Sequence, residues 1–596
     1  MDLFKASGAA FSAWLWRTSW DLMLKFPLVF RLVFPAFNFK PLAALTFFLQ
    51  TVSVERKVIA WLESRQPDFV VSTHFVTNQI MARIVRKYRL PFPFLAYNSD
   101  VILSHSAYLR PEIDTFFVSS IQGHAAMRRM GVPQSKLELS PFPIDEKYLR
   151  SYRSQREERR ELGLKDMFTI LLSFGGNGIG SYGIIPRLAE SGLPVQIVVI
   201  CGRNETKRRE LETLKKQYPD FNLVIKGFVD NMQDYLYCCD LSAGKAGLNV
   251  VFESRYMKKP FMVLMAMANE RHAARYVVSE KMGWWPRGDA QAFSVIRSLI
   301  NSPEDNAAMN DRLRNDPQEY GSNDIARSVL DHTRRRRQER FRAVNAVLFD
   351  MAGTLCDIPI GDRWHQVTYD GIGRVVERLD LPKTLGAEAC HQLQEAFVSD
   401  KAVRRKQAKT DLREHEIKRQ LSRFFSRRFA DDPALAAALR GFDFQDASFL
   451  TELEELFVST ELDITVPFPE TPRVVAKLAE HYPLYLVSNN VSRRLVEEIV
   501  EKCGVSEYFS EIVVSCDLGY RKPHKRFMDY VVRRTGVDPR RCVMVGDRLS
   551  QDILISNRHW MVGVYAAMVN HEDNAGTAHI PYTASIHKLD ELPSLL

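Results

Sequence analysis

Five side chains in the second half of this 596-residue chain have the types and order that phosphoryl chemistry requires. The segment VLFDMAGTLCD, Val347 to Asp357, is an apolar run that ends in Asp350 before Gly353 and Thr354 turn the chain. LVSNN closes a second apolar run with the hydroxyl of Ser488, and GYRKPHKRF places Lys522 before Pro523 at the start of a helical pattern. VMVGDRLSQD ends a third run in Asp547, with Asp552 five residues on. An aspartate at a strand end can attack phosphorus once a cation offsets the repulsion between the two anions. A hydroxyl and an ammonium suit phosphoryl oxygens, and carboxylate ligands suit magnesium. Ligands collect at the carboxyl ends of strands in open parallel sheets. The pattern therefore predicts alternating strands and helices that bring these loops together.

A second set precedes it. FTILLSFGGNGIG is a strand delivering Gly175, Gly176, Gly178 and Gly180. Such glycines let the backbone approach a diphosphate, whose charge is favoured by the N-terminus of the following helix. VQIVVICG, LVIKGF and PFMVLM are predicted strands of the same lobe. Upstream, DFVVSTHF, FPFLAYNSD and TFFVSS are predicted as parallel strands, and the polar residues near their ends are His74, Asp100 and His105. A lone histidine beside an apolar run is more often structural than catalytic; Asp100 and His105 are the candidates for deprotonating an acceptor.

The carboxyl-terminal set, over about Val344 to Leu596, resembles the haloacid dehalogenase (HAD) superfamily of phosphatases and phosphotransferases. The resemblance implies that Asp350 attacks phosphorus and that Ser488 and Lys522 bind the phosphoryl oxygens. Asp552 would orient Lys522 or outer ligands, and Mg2+ is expected around Asp350, Ala352, Asp547 and Asp552. One position departs: most phosphatases of the superfamily have an Asp two residues after the nucleophile as general acid and base, and here Ala352 stands there. A positioned acid/base contributes ~10²–10⁴ in rate. The same alanine occurs in the phosphonoacetaldehyde hydrolase branch, which forms a Schiff base on a cap lysine. Lys383, Lys401 and Lys406 are the first lysines after the nucleophile segment, and the sequence does not choose among them.

The GG-x-G loop, GFVDNM, the KAG at Lys245 to Gly247, Glu253 and the pair Asn269-Glu270 are similar to inverting two-lobed (GT-B) glycosyltransferases. Within them the likeness is to monogalactosyldiacylglycerol synthases and diacylglycerol glucosyltransferases, with MurG more distant, over about Trp14 to Asp331. This implies a UDP-sugar donor. Gly175, Gly176, Asn177, Gly178 and Gly247 would face the diphosphate, and Glu253 would accept from the ribose hydroxyls. Asn269 and Glu270 would face the sugar, with Lys245 and Asn249 in the same site. Val250 stands where the family often has Thr. The family also opens with a strand, a glycine-rich loop and a His that would precede Met1, so either the first lobe is expected to be truncated or the start lies further upstream.

The elements that must position these residues are those of an α/β protein: two Rossmann-like lobes, the first truncated, then a HAD-type Rossmannoid domain with a helical cap. The expected boundaries are 1–155, 156–331, a basic linker at 332–343, and 344–596 with the cap at about 358–467. The cap carries eleven Lys or Arg against three Asp or Glu between Lys401 and Arg428, a charge that would steer an anionic substrate or form a solvated face. With 46% hydrophobic and 26% charged residues the chain is expected to be globular with ample core. Eight scattered cysteines without paired spacing suit a reducing cytoplasm. The first fifty residues interleave Trp14, Trp16, Trp20, Phe26, Phe30, Phe34, Phe37, Phe39, Phe47 and Phe48 with Lys5, Arg17, Lys25, Arg31 and Lys40. Such a segment suits peripheral contact with the inner face of the cytoplasmic membrane, or an amphipathic helix pair packed inside the first lobe, and the two are not exclusive. Its longest charge-free run, 14 residues, is too short to span a bilayer, and no signal peptide is expected. HTRRRRQERFR, from His332, is predicted as a solvated helix end or linker, and no nucleic-acid partner is expected.

The function expected is a bifunctional enzyme, a UDP-sugar glycosyltransferase with a lipid or phosphorylated acceptor joined to a magnesium-dependent phosphohydrolase. The competing expectations are a phosphonatase-like hydrolase beside a non-catalytic transferase half, and a sugar-nucleotide-binding regulator with both sites degenerate.

Overall fold

The computed structural model describes residues 54–596 except 103–107, 177, 179, 268–269, 318–320 and 570–571, together with Leu3, Gly8, Trp14 and Thr18. The aromatic-and-basic character expected of the opening segment, and the roles expected of His105, Asn177 and Asn269, therefore lie outside the described residues. The chain forms two compact units: 1–55, 69–89 and 93–333 make one, and 56–68, 90–92 and 334–596 the other.

The first unit holds two parallel sheets. β1 (Val70–Ser72), β2 (Phe94–Tyr97), β3 (Thr115–Val118) and β4 (Leu137–Leu139) pair in sequence order. β5 (Phe168–Ser173), β6 (Val195–Ile200), β7 (Asn222–Lys226), β8 (Leu241–Lys245), β9 (Phe261–Met265) and β10 (Gly283–Trp284) form the second sheet in the order β10-β9-β8-β5-β6-β7. β6, VQIVVI, is buried along its whole length because helices cover both faces, which is why it reads as a continuous apolar run rather than an alternating one. Its one polar side chain, Gln196, is satisfied: Nε2 donates to Lys165 O and Thr169 Oγ1, each at 2.8 Å. The chain winds outward from β5 through β6 and β7, then returns to place β8 on the other side of β5. That reversal leaves a crevice at the carboxyl ends of β5 and β8. Gly244 makes the approach there: it has φ +151°, and a Cβ on it would stand 1.7 Å from Ser173 O. A register shift follows between Gly244 and Lys245.

In the second unit β11 (Ala346–Phe349) leads to a two-stranded antiparallel ribbon, β12 (Cys356–Asp357) with β13 (Val466–Pro467). β14 (Leu484–Ser488), β15 (Phe509–Val514), β16 (Cys542–Gly546), β17 (Val562–Ala566) and β18 (Ala584–Ile586) complete a parallel sheet ordered β15-β14-β11-β16-β17-β18. Here too the winding reverses, between β11 and β16. The helices inserted between β12 and β13 include Trp364–Arg378, Ala387–Asp411, Ile417–Asp431 and Ala447–Ile464. Pro382 and Pro433 sit in the first turns of two short helices, where a missing N–H costs nothing. An aromatic cluster holds the insertion together: Phe397 meets Phe424 and Phe457 at 5.0 and 5.6 Å, and Phe425 meets Phe444 at 4.9 Å.

Of the two expectations for the basic stretch from His332, a helix end or a linker, the structure shows the first: it closes a 22-residue helix, Gly321–Arg342. Three of its arginines serve the main chain. Arg336 donates to Pro91 O at 3.0 Å, Arg340 to Met561 O at 3.0 Å, and Arg337 to Thr583 O. Among the described residues no helix is long and apolar enough to cross a membrane.

Replacing Gly244 with Ala should destabilise the first unit by ~2 kcal/mol or more, because the methyl meets backbone that cannot yield. Chemical denaturation followed by fluorescence measures it, and an unchanged midpoint would contradict the assigned close approach.

Candidate functional site

In the second unit the strand registers converge the acids. Phe349 is level with Leu486 on one side and Val545 on the other, so Asp350, Ser488 and Asp547 emerge together at the carboxyl edge. Lys522 reaches in from its loop and is 2% exposed. Its ammonium lies 2.6 Å from Asp350 Oδ1 and 2.6 Å from Asp552 Oδ1, and donates to Val487 O at 2.7 Å. Burial works against the charge on Lys522, but Asp350 and Asp552 outweigh it and raise its pKa. Burial, together with the charges of Asp552 and Asp547, pushes the Asp350 carboxyl upward against the pull of Lys522. Asp552 is held in turn by the Arg548 N–H at 3.0 Å.

Asp350, Asp547 and Asp552 are all buried, and they bring ligand oxygens within 4.8 Å of one another. Gly353 makes room for them: a Cβ there would lie 2.2 Å from Asp547 Oδ2. A compact all-oxygen donor set of this kind fits a hard divalent cation. Ala352, included in the expected magnesium site, offers no side-chain ligand and has only its main-chain carbonyl to give. Ser488 is buried at the end of β14. Asn489, the next residue, was not singled out from the sequence, although it is the second polar residue of LVSNN. Its Oδ1 accepts from Lys522 N at 2.7 Å and its Nδ2 donates to Lys522 O at 3.2 Å, clamping the lysine loop onto β14.

The inserted helices separate the three candidate lysines. Lys383 is exposed and paired with Asp380 at 2.8 Å, and Lys406 is exposed. Lys401 is half-buried, the most enclosed of the three: its ammonium sits 4.3 Å above the Phe457 ring, and burial pushes its pKa down to about 8, partly countered by Glu461.

In the first unit, Gly175, Gly176, Lys245, Gly247, Asn249 and Glu253 line one cavity of about 270 Å³ at the β5/β8 crevice. Gly175, Gly176 and Gly247 face open space where a Cβ would be. Gly178 instead packs inward, where a Cβ would meet Cys201 O at 2.2 Å. The helix after the glycine-rich loop starts only at Ile184, so the N-terminus that faces the cavity belongs to Leu248–Tyr256, which follows Gly247 without a side-chain cap. Lys245 pairs with Glu270 at 2.9 Å. Burial raises the Glu253 carboxyl, with a hydrogen bond from Tyr148 opposing. Val250, Phe228, Val229 and Met232 supply an apolar wall; the last three lie within GFVDNM but had not been assigned to the site.

Of the remaining candidates, His74 is structural: it caps the helix Phe75–Tyr88, its Nδ1 accepting from Val76 N at 3.3 Å. Asp100 follows β2, and burial raises its carboxyl to about 6.

Comparison with known proteins places both halves. Residues 344–556 match the family model of haloacid dehalogenase-like hydrolases, and residues 2–144 that of monogalactosyldiacylglycerol (MGDG) synthase. The chain therefore joins an MGDG-synthase-like region to a HAD-like hydrolase region. Similar curated proteins include the probable monogalactosyldiacylglycerol synthase of Glycine max, 27% identical over 41% of this chain and 48% of its own length. The processive diacylglycerol beta-glucosyltransferase of Staphylococcus carnosus (strain TM300) is 25% identical over 46% of this chain and 71% of its own. The chain spans about half the length of the plant relatives it matches. Among solved structures, 2-haloacid dehalogenase from Pseudomonas syringae pv. Tomato DC3000 is 23% identical, covering 42% of this chain and 97% of that one, with a TM-score of 0.31.

Acylation of Lys401 by acetic anhydride, read by mass spectrometry, should rise with a midpoint near its pKa of about 8, because only the neutral amine reacts. Lys383 and Lys406 serve as internal references, and a Lys401 midpoint near that of an ordinary lysine would contradict the assigned enclosure. The same depression makes the unfolded chain bind the extra proton, so this group's contribution to stability grows as pH rises from about 8 toward the ordinary lysine range.

Proposed function

We propose that the chain is a bifunctional enzyme, a UDP-sugar-dependent glycosyltransferase acting on a lipid or phosphorylated acceptor, joined to a magnesium-dependent phosphohydrolase with Asp350 as nucleophile. The observation that carries the hydrolase half is the buried Lys522 ammonium held between Asp350 and Asp552, with Asp547 beside them. In this reading a carboxylate oxygen of Asp350 attacks phosphorus, and the bond to the leaving oxygen breaks with its electron pair. Lys522 and the Ser488 hydroxyl take up charge on the phosphoryl oxygens. Water then attacks the phosphorus of the Asp350 acyl phosphate and restores the carboxylate. Ala352 carries no proton, so the leaving oxygen draws its proton from solvent or from the substrate. Asp350, Asp547 and Asp552 would hold the magnesium ion, which when bound shields the attacking carboxylate from the phosphoryl charge.

For the transferase half, the amides at Gly175, Gly176 and Gly247 and the ammonium of Lys245 suit a diphosphate, and Glu253 suits ribose hydroxyls. Asp100, its carboxyl raised to about 6, is the base assigned to the acceptor hydroxyl, since a general base works best near the operating pH. The activities for which the plant and staphylococcal relatives are named support a diacylglycerol-type acceptor. A peripheral position on the inner face of the cytoplasmic membrane follows from that acceptor and from the aromatic and basic opening sequence.

A second reading has one observation in its favour. Lys401 is the most enclosed of the three candidate lysines, with an amine that is largely neutral just above pH 8. Such an amine can condense with a carbonyl and release water, which is the phosphonatase-like route that tolerates Ala352.

Magnesium-dependent phosphate release across sugar phosphates and lipid phosphates should fall by about 10³-fold or more in Asp350→Asn, as for loss of a covalent nucleophile. Undiminished release would remove Asp350 from the chemistry. Borohydride trapping of a carbonyl phosphonate on Lys401, absent in Lys401→Arg, would favour the second reading. UDP binding measured by calorimetry should weaken about tenfold in Glu253→Ala, which removes a two-acceptor carboxylate; unchanged binding would separate Glu253 from the ribose.

A further inference from the structure

Two arginines that the proposed chemistry does not use meet at Tyr520, on the loop that delivers Lys522. Residues 412–414 of the inserted cap run antiparallel to residues 519–521 of the Lys522 loop. Glu414 N donates to Gly519 O at 3.1 Å and Arg521 N to Leu412 O at 3.0 Å, with Arg413 opposite Tyr520. Side chains alternate along such a pairing. Glu414 and Arg521 meet on one side, 3.6 Å apart, and Arg413 and Tyr520 share the other.

On that second side Arg526, from the helix Lys525–Thr535, approaches the same ring. The guanidiniums of Arg413 and Arg526 stand 5.3 and 5.0 Å from the Tyr520 centroid. They donate to its phenol oxygen at 3.5 and 2.5 Å respectively. Neither guanidinium forms an ion pair with a carboxylate among the described residues. The His524 ring lies tilted 4.4 Å from Tyr520, and burial first, then the charges of Arg526, Arg558 and Arg413, lower its pKa against the pull of Asp529. Arg413, Arg526 and Arg558 therefore act on one small region, where Asp529 offsets part of their charge at His524 and Asp411 Oδ1 accepts from Arg413 N at 2.9 Å. Holding like charges together costs free energy unless an anion joins them. Two guanidinium forks on an aromatic support suit a phosphate.

Lys522 is two residues from Tyr520, a backbone span of at most ~7 Å. We propose that Arg413, Tyr520 and Arg526 form a second anion site at the mouth of the phosphoryl site, which holds the distal phosphate of a doubly phosphorylated small molecule. Arg413 belongs to the cap and Arg526 to the core, so an anion bound by both also ties the cap to the core. The inference rests on the hydrolase reading for its substrate role, but binding can be tested without turnover.

Titration calorimetry on full-length Asp350→Asn would compare fructose 1,6-bisphosphate with fructose 6-phosphate. The bisphosphate should bind about tenfold more tightly, as expected for added charge-assisted hydrogen bonds. Arg413→Gln and Arg526→Gln should each remove most of that preference. Arg419→Gln, in an exposed cap arginine paired with Glu416 at 3.5 Å, should leave it intact. Equal affinities for the two sugars, including no measurable binding of either, would overturn the proposal, as would a preference that survives both substitutions. Phosphate release by the wild-type protein tests the hydrolase reading separately, so the two can fail independently.

Discussion

The Lys522 ammonium, buried among Asp350, Asp552 and the Val487 carbonyl, is the interaction on which the second unit's architecture depends. A buried charge is tolerated only when its partners are placed well enough to replace water. Those partners come from the loop after β11, the end of β14 and the segment after β16, so three strands and the lysine loop must agree in register. Small residues permit the agreement. Gly353 leaves space for Asp547, and a Cβ on Gly546 would stand 2.4 Å from the Asp552 side chain. Asn489 then fixes the lysine loop through both faces of its amide.

Both units use the same topological device for opposite electrostatic ends. Where the winding of a parallel sheet reverses, two adjacent loops diverge and leave a crevice at the carboxyl edge. At β5 and β8 that crevice presents glycine amides, a helix N-terminus and Lys245, a surface ready for an anion. At β11 and β16 it presents carboxylates around one ammonium, a surface that first suits a cation and then the phosphate a cation can attract. Fold is shared between the two; side chains at strand ends make the difference.

Basic residues illustrate how little composition says about use. The arginine run after His332 looks like a patch for an acidic surface, yet Arg336, Arg337 and Arg340 are spent on main-chain carbonyls. In the cap, Arg404 answers Asp400 and Lys418 answers Glu454. Arg413 and Arg526, which meet over the Tyr520 ring, are a small fraction of the positive charge, and neither stands out in the linear order.

The strands were legible because residues buried on both faces must be apolar, and the acids at their ends were legible because nothing else interrupts such runs with a lone carboxylate. Asp350, Lys522, Asp547 and Asp552 could thus be named from order and context, as could six of the thirteen residues that line the β5/β8 cavity. What the linear order could not decide is orientation and enclosure. Gly178 turns inward while Gly175 and Gly176 face the cavity; His74 caps a helix; Lys401 rather than Lys383 or Lys406 is the most enclosed; Arg413 meets Arg526 over one ring. Each depends on contacts between segments tens to hundreds of residues apart. Periodicity and residue type act along the chain and so are written in the sequence, whereas burial and partner choice are set by which distant surfaces the packed sheets and helices bring together.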